Sequence, residues 1–221
     1  ELDILKLLNV SSLTPGVSEV LGPTDNAPAY KFRPGYNNVL VPSPGSIAAV
    51  LTAPTGFTIV FIYRQHRKSL GTLLSVHSPG RVTPWFQVTS NLRTGQLVVH
   101  YRVISDSKLH QNSWALQPSS VQIQKPNSIP TSDIKRGNGW THLALVYNAS
   151  LGTLTLYLDC QIPKQQPVAG THGFHIPQDA LVYFRQEPGF KKKFLGSMQV
   201  VKIKPYPVTR QDIGWTCSSA A

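Results

Sequence analysis

The chain is poor in acidic residues. It has 10 Asp and Glu residues against 21 Lys and Arg residues, which gives a formal net charge of +11 over 221 residues. Because only 14% of the residues are charged, the excess reflects missing acids more than added bases. A net charge of this sign raises the local concentration of any polyanion. The composition therefore favours an acidic partner, and heparan sulfate, nucleic acid and acidic lipid all qualify.

Long apolar runs and catalytic motifs are also missing. No run approaches the ~20 apolar residues that span a bilayer, so no membrane insertion is expected. The sequence has no G-x-S-x-G, H-E-x-x-H or phosphate-binding loop motif. Glycoside hydrolysis needs a pair of carboxylates on neighbouring strand positions, and the three glutamates, Glu1, Glu19 and Glu187, form no such pair. We therefore predict a protein that is not an enzyme and has no cofactor.

Metal-binding signals are weak. His172 and His175 are close in sequence and Asp179 follows them, but the segment is a loop with Gly and Pro. Zinc requires three or four ligands in a fixed geometry, and calcium requires several oxygen ligands, whereas the acids here are scattered without a D-x-D cluster. Exposed loop histidines are the simpler interpretation, and no metal site is predicted.

The chain has only two cysteines, Cys160 and Cys217, without C-x-x-C spacing. An isolated pair favours one disulfide in an oxidising compartment, and the alternative is two buried thiols in a cytosolic protein. Two N-glycosylation sequons occur, at Asn9 and Asn148. Together with the strand-rich sequence described below, the cysteines and sequons favour a secreted, extracellular glycoprotein.

Apolar segments of strand length recur along the chain, and Gly, Pro, Asn and Ser separate them. Helical periodicity is scarce, and residues 1–8 fit either a short helix or an irregular edge segment. We predict one all-β domain over residues 1–221, an antiparallel sandwich with residues 218–221 as a tail. The predicted strands cover residues 57–64, 71–78, 85–90, 96–103, 140–147, 153–160, 181–186 and 194–204, with a further short strand at 121–124. Turn residues at 91–95 predict a hairpin of the strands 85–90 and 96–103, and N-A-S-L-G at 148–152 predicts another of 140–147 and 153–160.

The predicted hairpin of residues 57–78 has a run of positive charge, R-Q-H-R-K, between two very apolar strands. Three lysines also occupy the connection between the last two long strands. Arginine forks and lysine point charges are the groups that bind sulfates and carboxylates. The simpler alternative for each residue is a solvated loop tip. The candidate glycosaminoglycan-binding residues are Lys31, Arg33, Arg64, Arg67, Lys68, Arg81, Lys191, Lys192, Lys193, Lys202 and Lys204.

Two other ligand classes fit the sequence less well. Nucleic acid is not expected, because the chain has no RNP-like aromatic motif, zinc-finger spacing or recognition helix, and Tyr101 is predicted to face inward. A pocket for neutral sugar would need a divalent ion or an exposed aromatic platform, for which Trp85 and Trp114 are the candidates. A protein-interaction or assembly module whose basic charge is incidental remains the main alternative.

Several segments resemble a known domain. They are D-I-L-K-L-L (3–8), Y-K-F (30–32), F-T-I-V-F-I-Y-R (57–64), G-T-L-L-S-V (71–76), N-G-W-T-H-L-A-L-V-Y (138–147) and T-L-T-L-Y-L-D-C (153–160). This order of segments resembles the thrombospondin N-terminal-like domain, a branch of the laminin G-like β-sandwiches, over nearly the whole chain.

The resemblance implies a jelly-roll sandwich, a Cys160–Cys217 disulfide and Trp140 as a core anchor. Many members of the family bind heparin or heparan sulfate and contact matrix proteins or cell-surface receptors. The resemblance therefore implies a binding module within a larger matrix or secreted protein.

Overall fold

The computed structural model describes residues 1–25, 27–106, 108–116, 139–170 and 173–215. These residues form a sandwich of two antiparallel sheets, which confirms the predicted all-β architecture. The strands are β1 (Leu2–Asp3), β2 (Val17–Val20), β3 (Ala29–Phe32), β4 (Gly56–Gln65), β5 (Thr72–His77), β6 (Phe86–Asn91), β7 (Gln96–Tyr101), β8 (His110–Ala115), β9 (Trp140–Asn148), β10 (Thr153–Leu158), β11 (Lys164–Pro167), β12 (Leu181–Phe184) and β13 (Gly196–Lys204).

Sheet A has the strand order β11-β10-β9-β4-β13-β3-β2, and β1 pairs with β13. Sheet B has the order β12-β5-β6-β7-β8. Side chains tie the β8 edge of sheet B to the β11 edge of sheet A. The indole Nε1 of Trp114 donates to the Lys164 carbonyl (3.2 Å), and the Gln166 amide donates to the Ser113 carbonyl (2.8 Å). The sandwich is therefore closed along one side.

The core lies between the two sheets, and alternation in β4 explains how it forms. Phe57, Ile59 and Phe61 point inward and are fully buried, because every second residue of a strand faces the same side. Phe57 meets Phe86 of sheet B edge-on, with ring centroids 5.7 Å apart. The alternate residue Ile62 is also buried, although it belongs to a small cluster on the outer face of sheet A.

Two predicted hairpins are confirmed and one is wrong. β6 pairs with β7, and β9 pairs with β10, as the turn residues between them indicated. Residues 57–78 do not form a hairpin, because β4 lies in sheet A and β5 in sheet B. β12 and β13 likewise form no hairpin with each other, because β12 lies in sheet B and β13 in sheet A. Apolar alternation identifies strands, but both sheets share the core and the pattern does not say which sheet a strand joins.

The helices of the described residues are short: α1 (Ile4–Leu7), α2 (Pro44–Leu51) and α3 (Arg210–Ile213). The first eight residues thus contain both predicted alternatives, an edge strand and a helical turn. Among the residues that the structure describes, no helix has the length and apolarity needed to cross a membrane. The predicted strand at 121–124 lies outside the described residues.

Candidate functional site

A row of side chains crosses the outer face of sheet A near the end of β4. In the strand register, Arg64 lies beside Trp140 on one neighbouring strand and beside Ser197 on the other. Ser197 in turn pairs with Lys31 of β3. Residues in register share a face, and neighbouring strands lie about 4.8 Å apart, so the Arg64 and Lys31 Cα atoms are roughly 10 Å apart. Two cations distant in sequence therefore flank a small serine.

Packing holds the arginines of this row in place. The Arg64 guanidinium lies 5.3 Å from the centroid of the Trp140 ring, a distance at which cation–π attraction operates. Trp140 is buried as expected for an anchor, but it packs with Ala29 and Ile62 on the outer face instead of in the main core. Arg33 follows β3, and its Nε donates to the Ser18 hydroxyl (3.0 Å).

Two of the connections between the sheets, β4–β5 and β12–β13, lie side by side at this end of the sandwich. We call residues 66–71 the first crossover and residues 185–195 the second crossover. The His66 N–H donates to the Leu195 carbonyl (2.8 Å), and the Thr72 N–H donates to the Lys192 carbonyl (3.1 Å). The Ser69 hydroxyl donates to the Lys193 carbonyl (3.2 Å). Arg67 and Lys68 are thereby brought next to the three lysines of the second crossover.

The resulting group, which we call the basic surface, consists of Lys31, Arg33, Arg64, Arg67, Lys68, Lys191, Lys192 and Lys193. Lys192 forms an ion pair with Glu187, with Nζ and Oε1 3.2 Å apart. Among the described residues, no carboxylate lies within 4.0 Å of the other seven cations. Seven cations without a carboxylate partner in the described part of the chain thus lie at one end of the sandwich.

Three of the predicted candidates lie apart from the basic surface. Arg81 follows β5, whose six residues run about 20 Å away from the first crossover. Lys202 and Lys204 share the outer face of sheet A, as their period-two spacing predicted. However, their Nζ atoms lie 3.6 and 3.5 Å from the Glu1 carboxylate oxygens, and Lys202 pairs with Val60, about 13 Å along β4 from Arg64.

A buried arginine anchors the second crossover, and sequence analysis missed it. Arg185 has a side-chain Nη2 that donates to the Phe194 carbonyl (2.8 Å), and its guanidinium carbon lies 4.3 Å from the centroid of Phe32. Burial lowers the pKa of Arg185 to about 10. An arginine after a strand looks like a surface charge in sequence, so no local signal distinguishes it from the cations nearby.

The outer face of sheet B carries a buried polar network. Gln87 donates to the Glu187 carboxylate (2.6 Å) and to the Ser75 hydroxyl (3.0 Å), and Ser75 is hydrogen-bonded to His77. His100 pairs with Gln87 across the strands. Burial lowers the pKa of both His77 and His100, and Lys192 lowers that of His100 further. This face therefore holds neutral imidazoles and a compensated carboxylate.

The buried His142 lies on the outer face of sheet A, where it contacts both Asp159 and the end of the described chain. The Asp159 carboxylate accepts a bond from the His142 backbone N–H (2.9 Å), and the Trp215 ring meets the imidazole edge-on at 5.5 Å. Burial lowers the pKa of His142 to about 4. Cys160 follows Asp159, whereas Cys217 lies outside the described residues, so the disulfide stays a prediction.

The remaining candidates are distributed elsewhere. Asn9 is exposed, and Asn148 is half-buried with its side-chain oxygen accepting a bond from Ser150 Oγ (2.8 Å). Asn148 also lines a cleft of about 660 Å³ with Tyr147 and Phe174, and none of the candidate cations lines that cleft. Trp114 is buried in the core and Trp85 packs against His175, so neither offers an open platform.

No cluster of three metal-ligating side chains occurs in the part of the chain that the structure describes. His172 lies outside that part. Tyr101 is fully buried in the core, as predicted, which removes it as a stacking partner for a base.

Comparison with known proteins gives partial sequence matches. No family model matches the chain. Thrombospondin-2 of Bos taurus is 32% identical over 91 residues, and thrombospondin-2 of Gallus gallus is 30% identical over 136 residues. These matches cover 40% and 57% of this chain. They confirm the predicted resemblance to the thrombospondin N-terminal-like domain.

The chain corresponds to only a small part of these relatives, since the matched regions span 8% and 11% of their length. Its fold is also similar to solved structures. One is the CBM40 of the Ruminococcus gnavus IT-sialidase, bound to α2,3-sialyllactose (TM-score 0.51, 14% identity, 77% of this chain and 85% of that chain). Another is the K499G mutant of the NanB sialidase from Streptococcus pneumoniae (TM-score 0.55, 15% identity, 90% and 29%). At these identities the likeness concerns the fold alone.

Proposed function

We propose that this domain is a non-catalytic extracellular binding module that captures sulfated glycosaminoglycan, either heparin or heparan sulfate, on its basic surface. The observation that carries the proposal is the strand register that places Lys31 and Arg64 on either side of Ser197, beside the two hydrogen-bonded crossovers. In this proposal the domain belongs to a larger matrix or secreted protein, and it docks that protein onto glycans and onto matrix or receptor proteins.

The mechanism is electrostatic capture. A single exposed ion pair contributes about 0–1 kcal/mol, so affinity requires several cations that contact one chain of sulfates together. Arg33, Arg64 and Arg67 can each present a planar fork of donors, whereas the lysines act as point charges. Because all of these cations except Lys192 lack carboxylate partners among the described residues, a ligand sulfate would have to displace an internal acid only at Lys192.

A heparin column eluted with a salt gradient tests the proposal. Each contact releases counterions, so binding weakens as salt rises, and elution is expected well above physiological ionic strength. The combined variant Arg64→Gln, Arg67→Gln and Lys68→Gln should elute much earlier, whereas Arg81→Gln, at the other end of sheet B, should elute like the wild type. Elution of the wild type at or below physiological salt would refute heparin binding.

The alternative is a protein-interaction or assembly module whose charge is incidental. It predicts specific binding of a protein partner that survives high salt and survives neutralisation of Lys191, Lys192 and Lys193. A sulfated ligand is favoured by these cations, most of which have no carboxylate partner among the described residues, since solvated loop tips give no reason for three separate segments, 31–33, 64–68 and 191–193, to come together.

We further infer that the domain has a Cys160–Cys217 disulfide and carries glycans on Asn9 and Asn148. Support for the disulfide comes from Trp215, which packs on His142 next to the segment that contains Cys160. Peptide mass spectrometry of the secreted protein without reduction would detect the bridge, and free thiols at both positions would rule it out.

A further inference from the structure

One exposed side chain of the second crossover is not basic. Phe190 is 67% exposed and lies in the sequence directly before Lys191, Lys192 and Lys193. The turn that presents it is closed by the Glu187 N–H, which donates to the Lys191 carbonyl (2.9 Å). The phenyl ring therefore projects from a defined turn within the basic surface.

The backbone at this position is unfavourable for phenylalanine. Phe190 has φ +60°, and two further residues of the crossover, Arg185 (+66°) and Lys192 (+48°), share the left-handed conformation. A residue with a Cβ loses roughly 1–2 kcal/mol there, and a ring that is 67% exposed recovers little burial energy. Glycine would avoid both costs. Neither packing nor backbone preference thus accounts for the aromatic ring, and strained residues of this kind are concentrated at functional sites.

A cation lies over the ring. The Lys193 Nζ is 5.0 Å from the Phe190 ring centroid, so it covers one face at cation–π distance. The side chain as a whole is 67% exposed, so ring surface is left that a ligand can contact. Phe190 and Lys193 thus place an apolar platform and an anion-binding group 5.0 Å apart, close enough for both to contact the same sugar.

We propose that Phe190 stacks against a pyranose ring of the glycan and makes the basic surface selective for sulfated sugars over other polyanions. This inference rests on the proposed glycosaminoglycan binding. One face of a pyranose presents C–H groups, which suit the electron-rich face of an aromatic ring. Lys193 is then placed to meet a sulfate of the same or the neighbouring sugar. A polyanion without rings would use the cations alone.

The two contributions respond differently to salt. Cation contacts set the slope of log affinity against log salt because they release counterions. Stacking buries apolar surface and is not screened by ions. Phe190 should therefore shift the whole salt dependence by a constant factor without changing its slope, whereas neutralising a lysine should reduce the slope.

The experiment measures binding of a heparin oligosaccharide and of inorganic polyphosphate, a ring-free polyanion, over a series of salt concentrations. Stacking of rings on aromatic side chains contributes about 1–3 kcal/mol in nucleic-acid complexes, so Phe190→Ala should bind heparin about tenfold more weakly with an unchanged slope. Phe190→Leu should behave like Phe190→Ala, and Phe190→Tyr should retain affinity. Polyphosphate binding should be the same for all four proteins.

The controls separate this inference from the proposed function. Leu151→Ala, which alters an exposed apolar side chain outside the basic surface, should change neither ligand. If the wild type does not bind heparin, the proposed function itself fails. If the wild type binds and Phe190→Ala binds equally well, or loses heparin and polyphosphate alike, the stacking role is overturned. Full affinity of Phe190→Leu would also overturn it.

Discussion

The outer faces of the two sheets differ in how their polar side chains are used. Sheet A carries cations at its rim, and an apolar patch of Trp140, Ile62 and Ala29 lies beneath them. Sheet B buries its polar groups in a network centred on Gln87 and Glu187. On sheet A the charges are available to a ligand, whereas on sheet B they satisfy one another.

The second crossover connects these two faces. Its Lys192 turns toward sheet B and neutralises Glu187, whereas its Lys193 turns toward the exposed ring of Phe190. Neighbouring lysines in one run therefore have different roles. A run of like residues in sequence is therefore not one functional unit, because the fold uses Lys192 to neutralise a buried carboxylate and leaves Lys193 at the surface.

The largest expected effect concerns acid and the buried histidine of sheet A. The unfolded chain takes up a proton on His142 near pH 6.5, whereas the folded protein resists until about pH 4. Stability from this group is therefore intact above pH 6.5 and is lost as the pH falls toward 4. The loss is on the order of 3 kcal/mol. Urea unfolding at pH 7 and pH 4 should show this decrease, and His142→Phe should reduce it.

The histidines of sheet B test whether the effect belongs to one face. His77 and His100 also have lowered pKa values, so they too favour unfolding in acid. An unchanged pH dependence in His142→Phe would assign the acid sensitivity to sheet B instead.

The next effect isolates the cations of sheet A. Lys31→Gln combined with Arg64→Gln should weaken heparin binding about a hundredfold near physiological salt, which corresponds to about 2.7 kcal/mol. The free energy of unfolding should change by only about 1 kcal/mol, from the lost stacking on Trp140. The matched control, Lys202→Gln with Lys204→Gln, removes the same charge from the same face. Equal losses in both variants would mean that net charge, and not the basic surface, determines affinity.

The smallest effect addresses the network of sheet B. Gln87→Leu removes the donor to Glu187 and to Ser75, and a buried group left without its partner costs about 1–3 kcal/mol. Gln111→Leu, on the same cross-strand row but exposed, loses hydrogen bonds to Ser113 and His100 and should cost less, about 0.5–1.5 kcal/mol. Heparin elution should be unchanged in both. A shift in elution for Gln87→Leu would show that the two faces are coupled through the second crossover.

Sequence reasoning succeeded where the physics is local. Alternation of apolar residues predicted β4, and turn residues predicted the hairpins β6–β7 and β9–β10. It also listed every cation of the basic surface, since charge is visible in composition. These features depend on near neighbours in the chain.

The failures concern long-range placement. The 57–78 segment was expected to be a hairpin, but β4 and β5 join different sheets. Arg81 was placed with Lys68 because both follow strands of that expected hairpin. The two residues are far apart because β5 runs away from the first crossover in sheet B. The compensation of Lys202 and Lys204 by Glu1 depends on β1 pairing with β13, nearly 200 residues away in the chain. No window of sequence contains this information.

The hydrogen bonds between the two crossovers have a consequence for engineering. Because the Lys192, Lys193 and Leu195 carbonyls are held by residues 66–72, neither loop can be transplanted alone into another sandwich and keep its shape. An insertion in one crossover would break its hydrogen bonds to the other and displace both. A designer who wishes to move this surface to a new scaffold must therefore graft both connections as a pair.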